Sequence, residues 1–345
     1  MDNLTHTLVG AALGQAGLKR RTGLAMPALM IGANLPDIDV VCALFGEGLS
    51  GRRGWTHGPI GLLVLPALLA VALLLLDRWQ ARRGTRPPER LPVRPGQLLL
   101  LGYVGTLSHP LLDWMNSWGI RLLMPFSERW FYGDVLFIAD PWIWLALGIG
   151  IWLSRRRERR GQAAHAGPVI TALLAVILYS GAMALAGRAA EARVAQAFRA
   201  QGLGEPDAVL ANPVFADPSR RAIIVRTGDR YGFGDFRWFP GARLTLDRAL
   251  VPANRGHPAV AQAARQDEAV ADFLYWSRYP FATIRSTPDG TRVTLGDARF
   301  GDRPDAGPFT VTATVPGGAG RPARPGGAAD TGIPNQSENG RRAHD

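Results

Sequence analysis

Four long apolar runs punctuate the first half of the chain: Leu62–Leu76, Gln97–Trp114, Leu136–Leu153 and Val169–Ala186. With their flanks, each approaches the roughly 20 residues that a helix needs to cross a bilayer. The pattern predicts four transmembrane spans. Ahead of them lie Leu4–Leu18 and Leu24–Leu35, which are apolar but short and are separated by Lys19, Arg20 and Arg21. At about 1.5 Å per residue, neither comfortably crosses a hydrocarbon core of about 30 Å. Two readings fit them: a hairpin of short or tilted helices shielded by the longer spans, which we prefer, or an amphipathic pair lying on the membrane surface.

From about Arg188 the pattern changes. Ala189–Gln201 reads as a helical connector. Ala222–Arg226, Tyr231–Trp238 and Arg243–Leu246 have strand composition, with Thr227-Gly228-Asp229 as a turn. Ala259–Trp276 has helical periodicity. Phe281–Arg285 and Thr291–Leu295 flank Pro288-Asp289-Gly290 as a hairpin, and Pro308–Val315 supplies one more strand. Residues 317–345 are rich in Gly, Pro, Ala and Arg and cannot bury a core. The fold expected is therefore mainly α: a multi-pass transmembrane helical bundle over 1–188, a small soluble α+β domain over 189–316, and a disordered tail over 317–345.

The net charge of +11 comes mostly from arginine, and its placement decides its meaning. Lys19–Arg21, Arg78–Arg94 and Arg155–Arg160 all fall on one side if the spans alternate, and the positive-inside rule makes that side cytoplasmic. Topology thus accounts for the basic balance, and no nucleic-acid partner is expected. The single cysteine, Cys42, excludes an internal disulfide and a cysteine-rich zinc site. Met1–Gly17 lacks a basic leading segment and is interrupted by His6 and Gln15, so no cleavable signal peptide is expected.

The ionisable residues at the ends of the apolar runs carry the chemistry, because a polar group at membrane depth is costly to desolvate. His109 and Asp113 stand one helical turn apart and point the same way from a helix, a common presentation of two metal ligands. His6 lies near the N-terminus. Asp37 and Asp39 follow Pro36 at an i, i+2 spacing; they serve either as oxygen ligands or as the cap of the next helix. His57 follows Arg52 and Arg53, whose guanidiniums suit a phosphate or carboxylate. All six candidate ligands fall on the side opposite the arginine-rich loops, which places the metal site and the soluble domain at the periplasmic face of an inner membrane.

The ordered set Thr5-His6, Asn34-x-Pro36-Asp37-x-Asp39, Arg53-Gly54-x-Thr56-His57 and His109-x-x-x-Asp113 resembles the membrane-bound, metal-dependent hydrolase family, also described as LexA-binding, inner-membrane-associated hydrolases. The resemblance covers roughly Met1–Gly187. It implies a metal centre built from these motifs and a hydrolytic activity. In that family the third motif begins His-Arg-Gly; Arg52 stands where that histidine would be, which removes one ligand.

If His6, Asp37, His57, His109 and Asp113 converge, with Asp39 beside them, the mixed nitrogen and oxygen set suits zinc, with manganese and iron as alternatives. Asp39 is the expected proton acceptor or orienting carboxylate, and Arg53 and Arg121 the expected anion-binding residues. A site at the membrane boundary points to an amphiphilic or lipid-linked substrate cleaved at a phosphoester or ester, alongside membrane lipids as partners. Two other readings stay open. One is a regulatory or scaffold membrane protein with a structural metal and a protein partner. The other is a transporter, less favoured because the ligands gather at one face.

Overall fold

The computed structural model describes residues 1–45, 51–247 and 249–316. The chain divides into two compact units. The first comprises Met1–Phe45, Gly51–Ala189 and Pro213–Ser219; the second includes Ala190–Asn212 and the described residues of 220–316.

The first unit is helical. Helix α1 (Asn3–Gln15) starts where the Asp2 carboxylate accepts a hydrogen bond from Thr5 N, satisfying one amide that the first turn leaves unpaired. A 3₁₀ turn at Leu18–Arg20 leads to α2 (Ala25–Gly32), and a 3₁₀ segment spans Leu35–Phe45. With 13 and 8 residues, α1 and α2 have the shortness that the sequence predicts. The long helices follow: α3 (Pro59–Arg82), α4 (Pro95–Trp114), α5 (Pro141–Arg159) and α6 (Gly167–Ala200).

Among the described residues two helices, α3 and α6, are long and apolar enough to cross a membrane. Only 22% of the most apolar window of each is buried, so Leu63, Leu68 and Leu75 of α3 and Leu174, Leu178 and Leu185 of α6 are exposed. An apolar exterior of that extent suits hydrocarbon better than water. Helices α4 and α5, of 20 and 19 residues, are shorter and are diluted, α4 by Gln97, Ser108, His109 and Asp113, and α5 by the charges at Arg155–Arg159.

Two boundaries differ from expectation. The run Leu136–Leu153 is not one helix. Its helical part begins at Pro141, because Asp140 accepts from Trp142 N and Ile143 N and proline occupies the first turn, where its missing N–H costs nothing. Leu136 instead lies in an isolated bridge with Asn116. The connector Ala189–Gln201 is not separate from the last apolar run either; α6 continues through it for 34 residues.

Helices α1, α2 and α4 approach closely at glycine. A Cβ built on Gly105 would lie 2.6 Å from the Leu29 carbonyl oxygen and 3.1 Å from Leu29 Cα, backbone atoms that cannot swing aside. Gly105→Ala is therefore expected to destabilise the protein by about 1–3 kcal/mol through overpacking. Gly181→Ala, in α6 with nothing within 4 Å, is expected to stabilise by about 0.5–1 kcal/mol through helix propensity. Thermal unfolding of the two purified variants tests the opposite signs.

The second unit holds two antiparallel sheets. Strands β1 (Ala208–Val214), β2 (Asp217–Thr227), β3 (Arg230–Arg237) and β4 (Arg243–Leu246) run in that order, and β5 (Val251–Pro252) also pairs with β3. Ala259–Trp276 is two helices, α7 (Pro258–Gln266) and α8 (Glu268–Trp276), because Asp267 takes extended backbone and caps the second. Strands β6 (Pro280–Thr287), β7 (Gly290–Asp297) and β8 (Thr310–Val315) form the other sheet. Leu210, Ile224, Tyr231, Phe233, Tyr279 and Phe281 make one apolar core. The unit thus combines helices with antiparallel sheet; the segment 317–345 lies outside the described residues.

Candidate metal centre

Each motif arrives on a differently built element. His6 sits in the second turn of α1, whose start is fixed by Asp2 and by the Trp144 indole, which donates to Thr5 Oγ1 at 2.9 Å. Asp37 and Asp39 sit in the 3₁₀ segment after α2, held to α1 where the Asn34 amide donates to Thr7 Oγ1 at 2.9 Å. His57 closes a turn whose amide donates to the Gly54 carbonyl at 3.0 Å. The next residue must be glycine: a Cβ on Gly58 would lie 1.9 Å from the Met124 carbonyl oxygen. His109 and Asp113 share one face of α4, which runs unbroken through Pro110.

One ligand atom from each of Asp37, His57, His109 and Asp113 lies within 4.8 Å of the others, and all four residues are buried. His57 Nε2 is 3.1 Å from His109 Nε2, 3.9 Å from Asp37 Oδ1 and 3.6 Å from Asp113 Oδ2. His109 Nε2 is 3.7 Å from Asp37 Oδ1 and 3.5 Å from Asp113 Oδ2. Tetrahedral coordination with bonds of about 2.0–2.1 Å places neighbouring ligand atoms roughly 3.3 Å apart. The group therefore fits a metal ion.

The tautomers agree. His109 Nδ1–H donates to the Ala33 carbonyl at 2.7 Å, which leaves a lone pair on Nε2. His57 Nδ1 faces Thr56 Oγ1 at 3.0 Å and Asp39 Oδ2 at 3.5 Å; the tautomer that donates Nδ1–H to this side presents a lone pair on Nε2. Burial holds the His57 imidazole well below its ordinary pKa, hence neutral. Two lone pairs 3.1 Å apart repel each other unless a cation lies between them, and a neutral imidazole held by a partner on its other nitrogen is how histidine ligates.

The other predicted residues surround this point. His6 stacks on His109 with ring centroids 3.8 Å apart, and its Nε2 is 3.3 Å from Asp113 Oδ1. Asp39 accepts from Arg53 N at 2.6 Å and lies beside His57 rather than at the shared point. Burial raises its carboxyl pKa, against the opposing pull of Arg52. Arg53 takes a left-handed backbone conformation with φ 52°, uncommon outside glycine and costly enough to mark a constrained site. Its Nε is 2.9 Å from Asp113 Oδ2, and Nη1 donates to Asn116 Oδ1 at 3.1 Å and to the Gly119 carbonyl at 3.0 Å. Arg121 donates to the Arg52 carbonyl at 2.9 Å and stacks over Trp130. Both guanidiniums are thus buried against protein groups. Arg52, about a quarter exposed, reaches Asp37 Oδ1 at 3.5 Å and Asp39 Oδ1 at 3.4 Å.

Sequence reasoning missed two participants. Asn116, three residues past Asp113, braces Arg53; its i, i+3 spacing from a ligand was the available signal. The main-chain nitrogen of Met1 contacts Asp113 Oδ1, and nothing in the local pattern announces it.

A helical region with spans suited to a membrane, enclosing a His/Asp cluster able to hold a metal ion, defines a membrane-associated protein with a candidate metal centre. The YdjM inner membrane protein family matches residues 1–188, and the chain belongs to that family. No curated protein and no solved structure matches it.

Proposed function

We propose that the chain is an integral, multi-pass membrane hydrolase that uses a divalent metal, zinc first, to cleave a phosphoester or ester of an amphiphilic or lipid-linked substrate. One observation carries the substrate class. A groove of about 490 Å³, walled by Met30, Ile31, Leu35 and Ile38 with Asn3 and Thr7, ends on Asp37, a member of the metal cluster. Ile31 and Ile38 are about half exposed. An apolar tail lying along those walls brings a polar head to the cluster.

A bound divalent cation supplies Lewis acidity at the scissile group and acidifies a water. The chain's own residues do the rest. Asp39, held by Arg53 N, orients His57 and takes up a proton. Arg53 fixes Asp113, Arg121 fixes the Arg52 backbone, and Arg52, partly exposed beside Asp37, holds an anionic head group. The placement of the basic segments supports a periplasmic site.

The complete burial of His57, His109 and Asp113 favours a second reading, a non-catalytic protein with a closed structural metal and a protein partner. Metal analysis of the full chain in detergent, followed by hydrolysis assays on phosphoesters and lipid esters, separates the two. Turnover that chelation removes and zinc restores is expected. Asp39→Asn is expected to lower turnover by about 100-fold or more, as loss of a general base does, with metal retained at saturating zinc. Stoichiometric metal with no turnover on any ester overturns the hydrolase reading.

A further inference from the structure

Helices α1 and α5 lie side by side. Trp144, near the start of α5, meets Thr5 and Asp2, while Glu158, near its end, meets Gln15 and Lys19. His6 therefore marks one end of this pair, and the basic end of α5 is the other. Fourteen residues separate Trp144 from Glu158, about 21 Å along a helix.

From one turn past Trp144 to that far end runs a cavity of about 580 Å³. Its apolar half is Leu8 of α1 with Gly148, Ile151 and Trp152 of α5; its polar half is Arg155, Arg156, Arg159 and Arg160. Positions 148, 152, 155 and 159 recur at helical spacing, so the apolar floor and the basic rim form one stripe. Gly148 leaves the floor open: nothing lies within 4 Å of where its Cβ would stand. The acid nearest in sequence is engaged elsewhere, since Glu158 pairs with Lys19 and accepts from Gln15. Among the described residues no carboxylate pairs with Arg155, Arg156, Arg159 or Arg160; Arg156 instead stacks on Trp152. Four like charges within two turns repel each other, and a ligand that brings an anion relieves that repulsion.

We propose that this cavity is a binding site for one anionic phospholipid, its phosphate among the four arginines and an acyl chain against Leu8, Gly148, Ile151 and Trp152. The ligand must be both anionic and apolar. A free anion leaves the apolar floor unfilled, and a zwitterionic lipid neutralises its own phosphate. Basic pockets between membrane helices recognise anionic head groups in this way.

The test is native mass spectrometry of the full chain in detergent, titrated with phosphatidylglycerol, phosphatidylcholine or glycerol phosphate. Retention of one phosphatidylglycerol, at least about tenfold tighter than phosphatidylcholine, is expected from arginine–lipid attraction. Two variants attack the site independently. The combined Arg155→Gln, Arg156→Gln, Arg159→Gln and Arg160→Gln protein loses the charge, and Gly148→Leu fills the floor with every charge kept; each is expected to bind at least about tenfold more weakly. A control with Arg78, Arg82 and Arg83 changed to Gln is expected to bind as the parent does. Unchanged binding in Gly148→Leu, equal loss in the control, or equal retention of glycerol phosphate each overturns the proposal. If the four-arginine variant fails to fold, Gly148→Leu decides alone.

Discussion

Purified His109→Ala protein is expected to bind zinc more than about 100-fold more weakly than the parent, a loss at least as large as that seen when only the partner of a ligand is removed. The imidazole has three roles. Its Nε2 is one corner of the four-atom cluster, its Nδ1–H satisfies the buried Ala33 carbonyl, and its ring stacks on His6. Alanine leaves three ligand groups and deprives the Ala33 carbonyl of a donor. Two measurements check this. Metal content after dialysis against buffered zinc falls to background in the variant. Zinc is also expected to raise the melting temperature of the parent, because a ligand at about 100 times its Kd adds about 2.7 kcal/mol to stability, and to leave the variant unmoved. Full zinc occupancy in His109→Ala would remove the metal centre from consideration.

The candidate metal site was more legible in the sequence than the helices that carry it. His109 and Asp113 announce themselves because two ligands at i and i+4 need only one helix to be aligned. Asp37 and His57 were legible as polar residues bordering apolar runs, where desolvation demands a reason. Their convergence could be expected but not read, because it depends on glycine contacts such as Gly105 against Leu29, which are tertiary. The roles of the arginines were less legible. Arg53 and Arg121 have the chemistry of anion binders, yet the fold buries both and spends their donors on Asp113, Asn116 and the Arg52 carbonyl. A side chain's donors can be counted from sequence, but its acceptors cannot. Helix ends were misjudged where apolar content was followed past a capping residue: Asp140-Pro141 and Asp267 are both start signals. Strand β1 escaped notice because Ala208–Val214 includes Asn212 and Pro213, residues disfavoured in strands.

Asp297→Asn is expected to destabilise the second unit by about 3–5 kcal/mol, the usual cost of breaking a buried ion pair by removing one of its charges. Asp297 and Arg299 are both buried, with Arg299 Nη2 2.8 Å from Asp297 Oδ2 and its Nε 2.9 Å from Oδ1. The same carboxylate accepts from Ser277 Oγ, from Arg278 N at 3.0 Å and from Arg299 N at 2.9 Å, so it ties the end of β7 to the turn that follows α8. Arg299 also stacks over Trp276, and a neutral amide removes the charge that this buried guanidinium pairs with at 2.8 Å. Burial alone raises the carboxyl pKa, but Arg299 and the converging hydrogen bonds outweigh it and hold the group below its ordinary value. A depressed folded pKa means that the native state binds its proton less readily than the unfolded chain does. The stabilisation is therefore complete above the unfolded carboxylate pKa, about 4, and is lost as pH falls through the folded value. Hydrogen exchange of the full chain at neutral pH, read on β6 and β7, is expected to show faster opening in Asp297→Asn. The difference from the parent is expected to shrink in strong acid, where both carry a neutral side chain. A difference that stays constant into acid would mean that the amide acts through shape and not through charge.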